Sequence, residues 1–122
     1  RRKNEDFTNT QARKPILLKW LPPEALSKKN YSLKTDIWSF GVVLYEIFCG
    51  SEPYPALSSS RAAELVESNS LRPYIPPISG VSDIMRSCLD YDPLKRPSFG
   101  NIQNQLDNLI PENIPKRVVR DP

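Results

Sequence analysis

The sequence predicts a mainly α fold, and three observations carry that prediction. Residues 37–48 are apolar or aromatic at nine of twelve positions and on every face, which describes a helix surrounded by protein. Shorter stretches after it repeat their apolar residues at helical spacing, and no stretch reads convincingly as a strand. With 122 residues and a hydrophobic fraction of 39%, the chain has room for one small core built around that helix.

Taken in order, residues 1–14 are polar apart from Phe7 and Ala12 and show no periodicity, so they predict an exposed loop. Pro22-Pro23 imposes extended backbone on the residue before each proline, and a short helix can then start through Glu24, Ala25 and Leu26, because proline is tolerated in a first turn. For the central helix, Thr35 is the predicted N-cap, Asp36 suits the positive end of the helix dipole, and Gly50 stops it. Pro53 and Pro55 make residues 52–57 a loop.

Ala62, Leu65 and Val66 predict an amphipathic helix begun by Ser58-Ser59-Ser60. After a proline-rich connector, Ile84, Met85, Cys88 and Leu89 predict another that starts near Ser79. Phe99, Ile102, Leu106 and Leu109 predict the last helix, capped by Ser98 and ended by Pro111 and Pro115, with a polar tail over residues 111–122.

Composition excludes several function classes. The net charge of +3 is mild and the basic residues are scattered, so a nucleic-acid partner is not expected. There is no histidine, and Cys49 and Cys88 are too few and too far apart for zinc, so they read as buried reduced thiols. Nothing near Arg1 has the pattern of a signal peptide. The run 37–48 is too short to span a bilayer and contains Glu46, which points to no membrane span in this segment.

Three blocks occur in order along the chain: Lys19-Trp20-Leu21-Pro22-Pro23-Glu24-Ala25-Leu26, then Thr35-Asp36-Ile37-Trp38-Ser39-Phe40-Gly41, then Asp92-Pro93-Leu94-Lys95-Arg96-Pro97-Ser98-Phe99. Together they resemble the C-terminal part of a protein-tyrosine kinase domain. The resemblance implies the helical C-terminal lobe of the protein-kinase-like fold, incomplete. Residues 1–110 would be a partial kinase domain, with 1–26 the end of the activation segment and substrate loop, 27–110 the helical subdomain, and 111–122 a tail.

The implied function is signalling by transfer of the ATP γ-phosphoryl group to tyrosine in proteins. ATP and Mg would be cofactors of the intact domain. The glycine-rich loop, the strand lysine and the catalytic and metal-binding acids of the family are expected upstream of Arg1, so no catalytic, cofactor or metal residue is assigned here and the chain alone is expected to be inactive. The implied partners are a tyrosine-containing protein substrate and the remainder of the kinase domain. The implied location is the cytoplasm, or the cytoplasmic side of a receptor.

The resemblance also assigns residues. Glu24 and Arg96 would form a buried ion pair, for which arginine's planar fork is suited and lysine is not; without the resemblance both read as solvated charges. Asp36 would accept hydrogen bonds from the catalytic loop, whereas by itself it is only a helix-start acid. Trp38 and Gly41 belong to the same organising block. Leu17, Leu18, Lys19, Trp20 and Leu21 match the loop on which a peptide lies, an apolar shelf that lets a phenol reach the catalytic base. Their bare alternative is an apolar strip that packs on the central helix.

Some positions depart from the pattern. Leu17 stands where tyrosine kinases usually have proline, Leu89 where they usually have tryptophan, and no tyrosine precedes Tyr31. If loop phosphorylation controls the protein, Thr8 or Thr10 would then have to carry the phosphate; otherwise control works by another route. These departures keep a second reading in view: a truncated kinase or pseudokinase that acts as a non-catalytic interaction module. The connector Arg72-Pro73-Tyr74-Ile75-Pro76-Pro77 also has the composition of a ligand for proline-reading domains.

Overall fold

The structure, a computed structural model, describes residues 15–110. The expectations for residues 1–14 and 111–122, Thr8 and Thr10 included, lie outside the described residues. A 3-10 helix over Pro15–Trp20 leads into α1 (Pro23–Lys28), α2 (Leu33–Cys49), α3 (Ser59–Glu67), α4 (Val81–Cys88), a short 3-10 turn Pro93–Lys95 and α5 (Phe99–Asp107). Among the described residues there is no strand.

Local chemistry explains the boundaries. Pro23 opens α1 in the position where its missing N–H costs nothing, and Lys29 closes the helix in the left-handed region. At α2 the predicted cap is corrected. Ser32, not Thr35, is the N-cap, and the helix begins at Leu33. The Ser32 side chain accepts from the Lys34 N–H, while the Ser32 N–H donates to Thr35 Oγ1 at 2.9 Å, so Thr35 serves as the second half of a capping box. Gly50 ends α2 with φ 74°, a conformation that glycine takes without a Cβ clash.

Ser58 and Ser98 cap α3 and α5 as their sequences predict. α4 starts at Val81, near Ser79 as its sequence predicts, with Gly80 at the N-cap and no side-chain cap. α5 ends at Asp107, so Leu109 lies beyond the helix rather than inside it.

α2 is the hub, and its two covered sides bury different residues. Ile37 and Leu44 pack with Val81, Ile84, Met85 and Cys88 of α4 and with Ile102 of α5. Trp38 and Val42 pack with Val66 and Leu89, against which Trp20, Leu26, Tyr54 and Leu71 also lean. Full burial of each large aliphatic side chain stabilises the fold by roughly 1.5–3 kcal/mol. Gly41 lets α4 approach: a Cβ there would lie 3.0 Å from Cys88 Cβ and from Leu89 Cδ2.

The α2 sequence is apolar on every face, and the resemblance leaves one of its sides to be covered by other parts of the domain; among the described residues one face is open. Leu33, Val43, Ile47 and Phe48 are exposed, Ile47 to 65%. Asp36 lies at the same helical spacing and is exposed as well. No helix among the described residues is long and apolar enough to cross a membrane.

Candidate substrate-docking site

Residues 17–21 run along the outside of α2 and α3, held from beneath by polar contacts. The Ser39 hydroxyl donates to the Trp20 carbonyl at 2.7 Å, and the Trp20 indole N–H donates to Glu46 Oε1 at 3.0 Å. Ser39 and Glu46 are seven residues apart, two turns of α2, so both project from one face toward the strip. Lys19 reaches the loop after α2, donating to Glu52 Oε2 at 3.2 Å and to the Tyr54 carbonyl at 3.0 Å.

These contacts sort the strip into an inner and an outer side. Lys19 is turned inward and only 6% exposed, while Leu17 is half exposed and Leu18, Trp20 and Leu21 are partly so. The outer side is therefore apolar and the charge lies underneath. Tyr54, whose carbonyl receives Lys19, has φ 49°, an uncommon conformation for a bulky residue and one held here by surrounding contacts. Burial, and secondarily the neighbouring Tyr45, push the Tyr54 hydroxyl's pKa well up, so it stays protonated.

The C-terminal end of the strip is fixed by Glu24 and Arg96. Arg96 Nη1 and Nη2 donate to the two carboxylate oxygens of Glu24 at 2.8 and 2.9 Å. Its remaining N–H groups donate to the carbonyls of Lys34, Asp90 and Tyr91, so all five are used. The guanidinium also lies 5.2 Å from the centre of the Trp38 ring, a cation–π contact. Lys34 Nζ closes the arrangement by donating to the Arg96 carbonyl. A single buried side chain thus joins α1, the start of α2 and the segment after α4.

Asp36 is exposed and stands on the open face of α2. Ser39, Glu46, Glu52 and Tyr54 were not among the residues singled out in the sequence. Glu46 carried a signal, being the lone acid in the apolar run 37–48, which asks for a partner.

The described residues offer no cluster that fits a metal ion such as Mg. Among them no group of three His, Cys, Asp or Glu side chains converges, and Glu46 and Glu52 are both engaged under the strip. In the proline-rich connector, Pro73 and Pro76 are buried, so the prolines a recognition groove would read face inward. Both cysteines are free, with Cys88 buried and Cys49 half-buried.

A family model described as protein tyrosine and serine/threonine kinase matches residues 1–106. The chain is 39% identical over 109 residues to the tyrosine-protein kinase transforming protein Fps of avian sarcoma virus (strain PRCII), covering 86% of this chain and 20% of that protein. It is 41% identical over 97 residues to the human tyrosine-protein kinase Fer, covering 76% of this chain and 12% of Fer. A probable serine/threonine-protein kinase of Dictyostelium discoideum is 41% identical over 93 residues, covering 74% of this chain and 10% of that protein. The chain thus spans a fifth or less of the length of these relatives. The match over nearly all of the described residues and the helical architecture agree, and the chain belongs to the protein tyrosine and serine/threonine kinase family.

Proposed function

We propose that this chain is part of a protein-tyrosine kinase that transfers the γ-phosphoryl group of ATP to tyrosine in proteins. In this reading residues 17–21 supply the loop on which the peptide lies, and α1–α5 supply its foundation. The observation that carries it is the geometry of the strip, which is apolar outside and fixed from beneath through Lys19 and Trp20. A flat apolar support held in place favours an aromatic side chain by burying its ring, and it leaves the phenol hydroxyl free to reach outward. ATP and Mg would be held by residues outside 15–110, where they supply the phosphoryl group and neutralise its charge.

The open face of α2 fits this reading. Leu33, Val43, Ile47 and Phe48 would be covered by the remainder of the kinase domain, and Asp36, placed among them, would accept hydrogen bonds from the catalytic loop. Glu24 and Arg96 would keep the end of the activation segment attached to this core. The location that follows is the cytoplasm, or the cytoplasmic side of a receptor.

The test is a phosphotransfer assay on the full-length protein, with Mg-ATP and peptides offering tyrosine or serine and threonine. The proposal expects phosphotyrosine. Phosphoserine or phosphothreonine alone would contradict the tyrosine assignment. A folded protein that labels none of them would favour the non-catalytic interaction module.

A further inference from the structure

We infer that Glu52 is a positioning residue for peptide docking, acting through Lys19; this rests on the docking reading of residues 17–21. Lys19 lies within the strip but presents no charge to its outer surface. Its ammonium is buried beneath, 3.2 Å from Glu52 and 3.0 Å from the Tyr54 carbonyl. A buried ammonium needs a compensating carboxylate, and among the described residues Glu52 is its ion-pair partner.

Glu52 itself is 45% exposed, so losing its charge does little to the core. The consequence falls on Lys19. Left with one carbonyl, the ammonium gains by moving toward water, and that movement displaces the 3-10 helix Pro15–Trp20 to which it belongs. Ser39 and Glu46 still hold Trp20, and Glu24 with Arg96 still holds α1. The fold therefore persists while the middle of the strip loses its register. Peptide binding weakens, and groups that handle ATP are untouched.

The experiment is steady-state kinetics of the full-length kinase on a tyrosine peptide, comparing wild type with Glu52→Asp, Glu52→Gln and Glu52→Lys. Glu52→Gln is expected to raise the peptide KM about fivefold, with kcat and the KM for ATP unchanged. Glu52→Asp should raise it less and Glu52→Lys more. In a Lys19→Met background the effect of Glu52→Gln should vanish, because the residue acts through that ammonium. Glu64→Gln, on the exposed face of α3, should leave every constant unchanged. A peptide KM that is flat across the Glu52 series, in an active wild type, overturns this inference alone. A wild type that transfers no phosphate to tyrosine overturns the docking reading along with it.

Discussion

Arg96 holds both carboxylate oxygens of Glu24 across 72 positions of sequence, at 2.8 and 2.9 Å, with its own side chain fully enclosed. Removing the guanidinium strands a largely buried carboxylate and three carbonyls at once. Arg96→Ala should cost about 3–5 kcal/mol. Arg96→Lys should recover less than half of that, since one ammonium cannot serve five acceptors lying in a planar fan. Denaturant unfolding of a kinase domain containing this segment measures both, and a Lys variant as stable as wild type would contradict the arrangement.

Gly41 should tolerate no side chain without cost. A Cβ there would meet Cys88 and Leu89 at 3.0 Å across the contact between α2 and α4. Gly41→Ala should destabilise by about 1–3 kcal/mol and Gly41→Val by more, because overpacking forces backbone or rotamer shifts. An unchanged melting temperature for Gly41→Val would show that these helices pack more loosely than described.

Cys88 and Cys49 should respond differently to thiol reagents. Burial pushes the Cys88 pKa up from 9.0 to about 11, and the nearby Arg96 only partly offsets that rise. Near neutral pH, alkylation should modify the half-buried Cys49 first and reach Cys88 only on unfolding. Between pH 9.0 and about 11 the unfolded state has lost this proton and the folded state retains it, so stability falls as pH rises. Mass mapping after a timed pulse of iodoacetamide checks the order, and unfolding across that pH window, with Cys88→Ala as the control, checks the sign.

The open face of α2 should make the 122-residue chain bind apolar dyes or self-associate. Replacing Val43 and Ile47 by lysine removes apolar area from that face without touching either buried cluster. Dye fluorescence should drop. A monomeric, dye-silent chain with a sharp cooperative melt would contradict an uncovered face.

The helices were legible because their signals are local. Ser58, Ser98 and Gly50 act within a turn of themselves, so the sequence places the corresponding helix ends correctly. Ser32 was missed since its partner is Thr35, and a threonine next to an apolar run reads as the cap itself. The open face of α2 is legible only through the family resemblance, because the apolar pattern reports what a helix is built to bury and not which neighbours are present. Contacts beneath the strip join residues 19 to 35 positions apart, such as Ser39 with Trp20 and Lys19 with Tyr54. No periodicity encodes such pairings. Glu24 and Arg96 were paired only through the family resemblance, not through anything in their own surroundings.

The central claim is that these residues dock and support a substrate while the phosphoryl chemistry belongs to another part of the kinase. Phosphate transfer from Mg-ATP to a tyrosine peptide tests it directly, measured for the 122-residue chain alone and for the same chain joined to the upstream half of a tyrosine-kinase domain. The account predicts labelled tyrosine only from the joined protein. Labelling by the chain alone would contradict it.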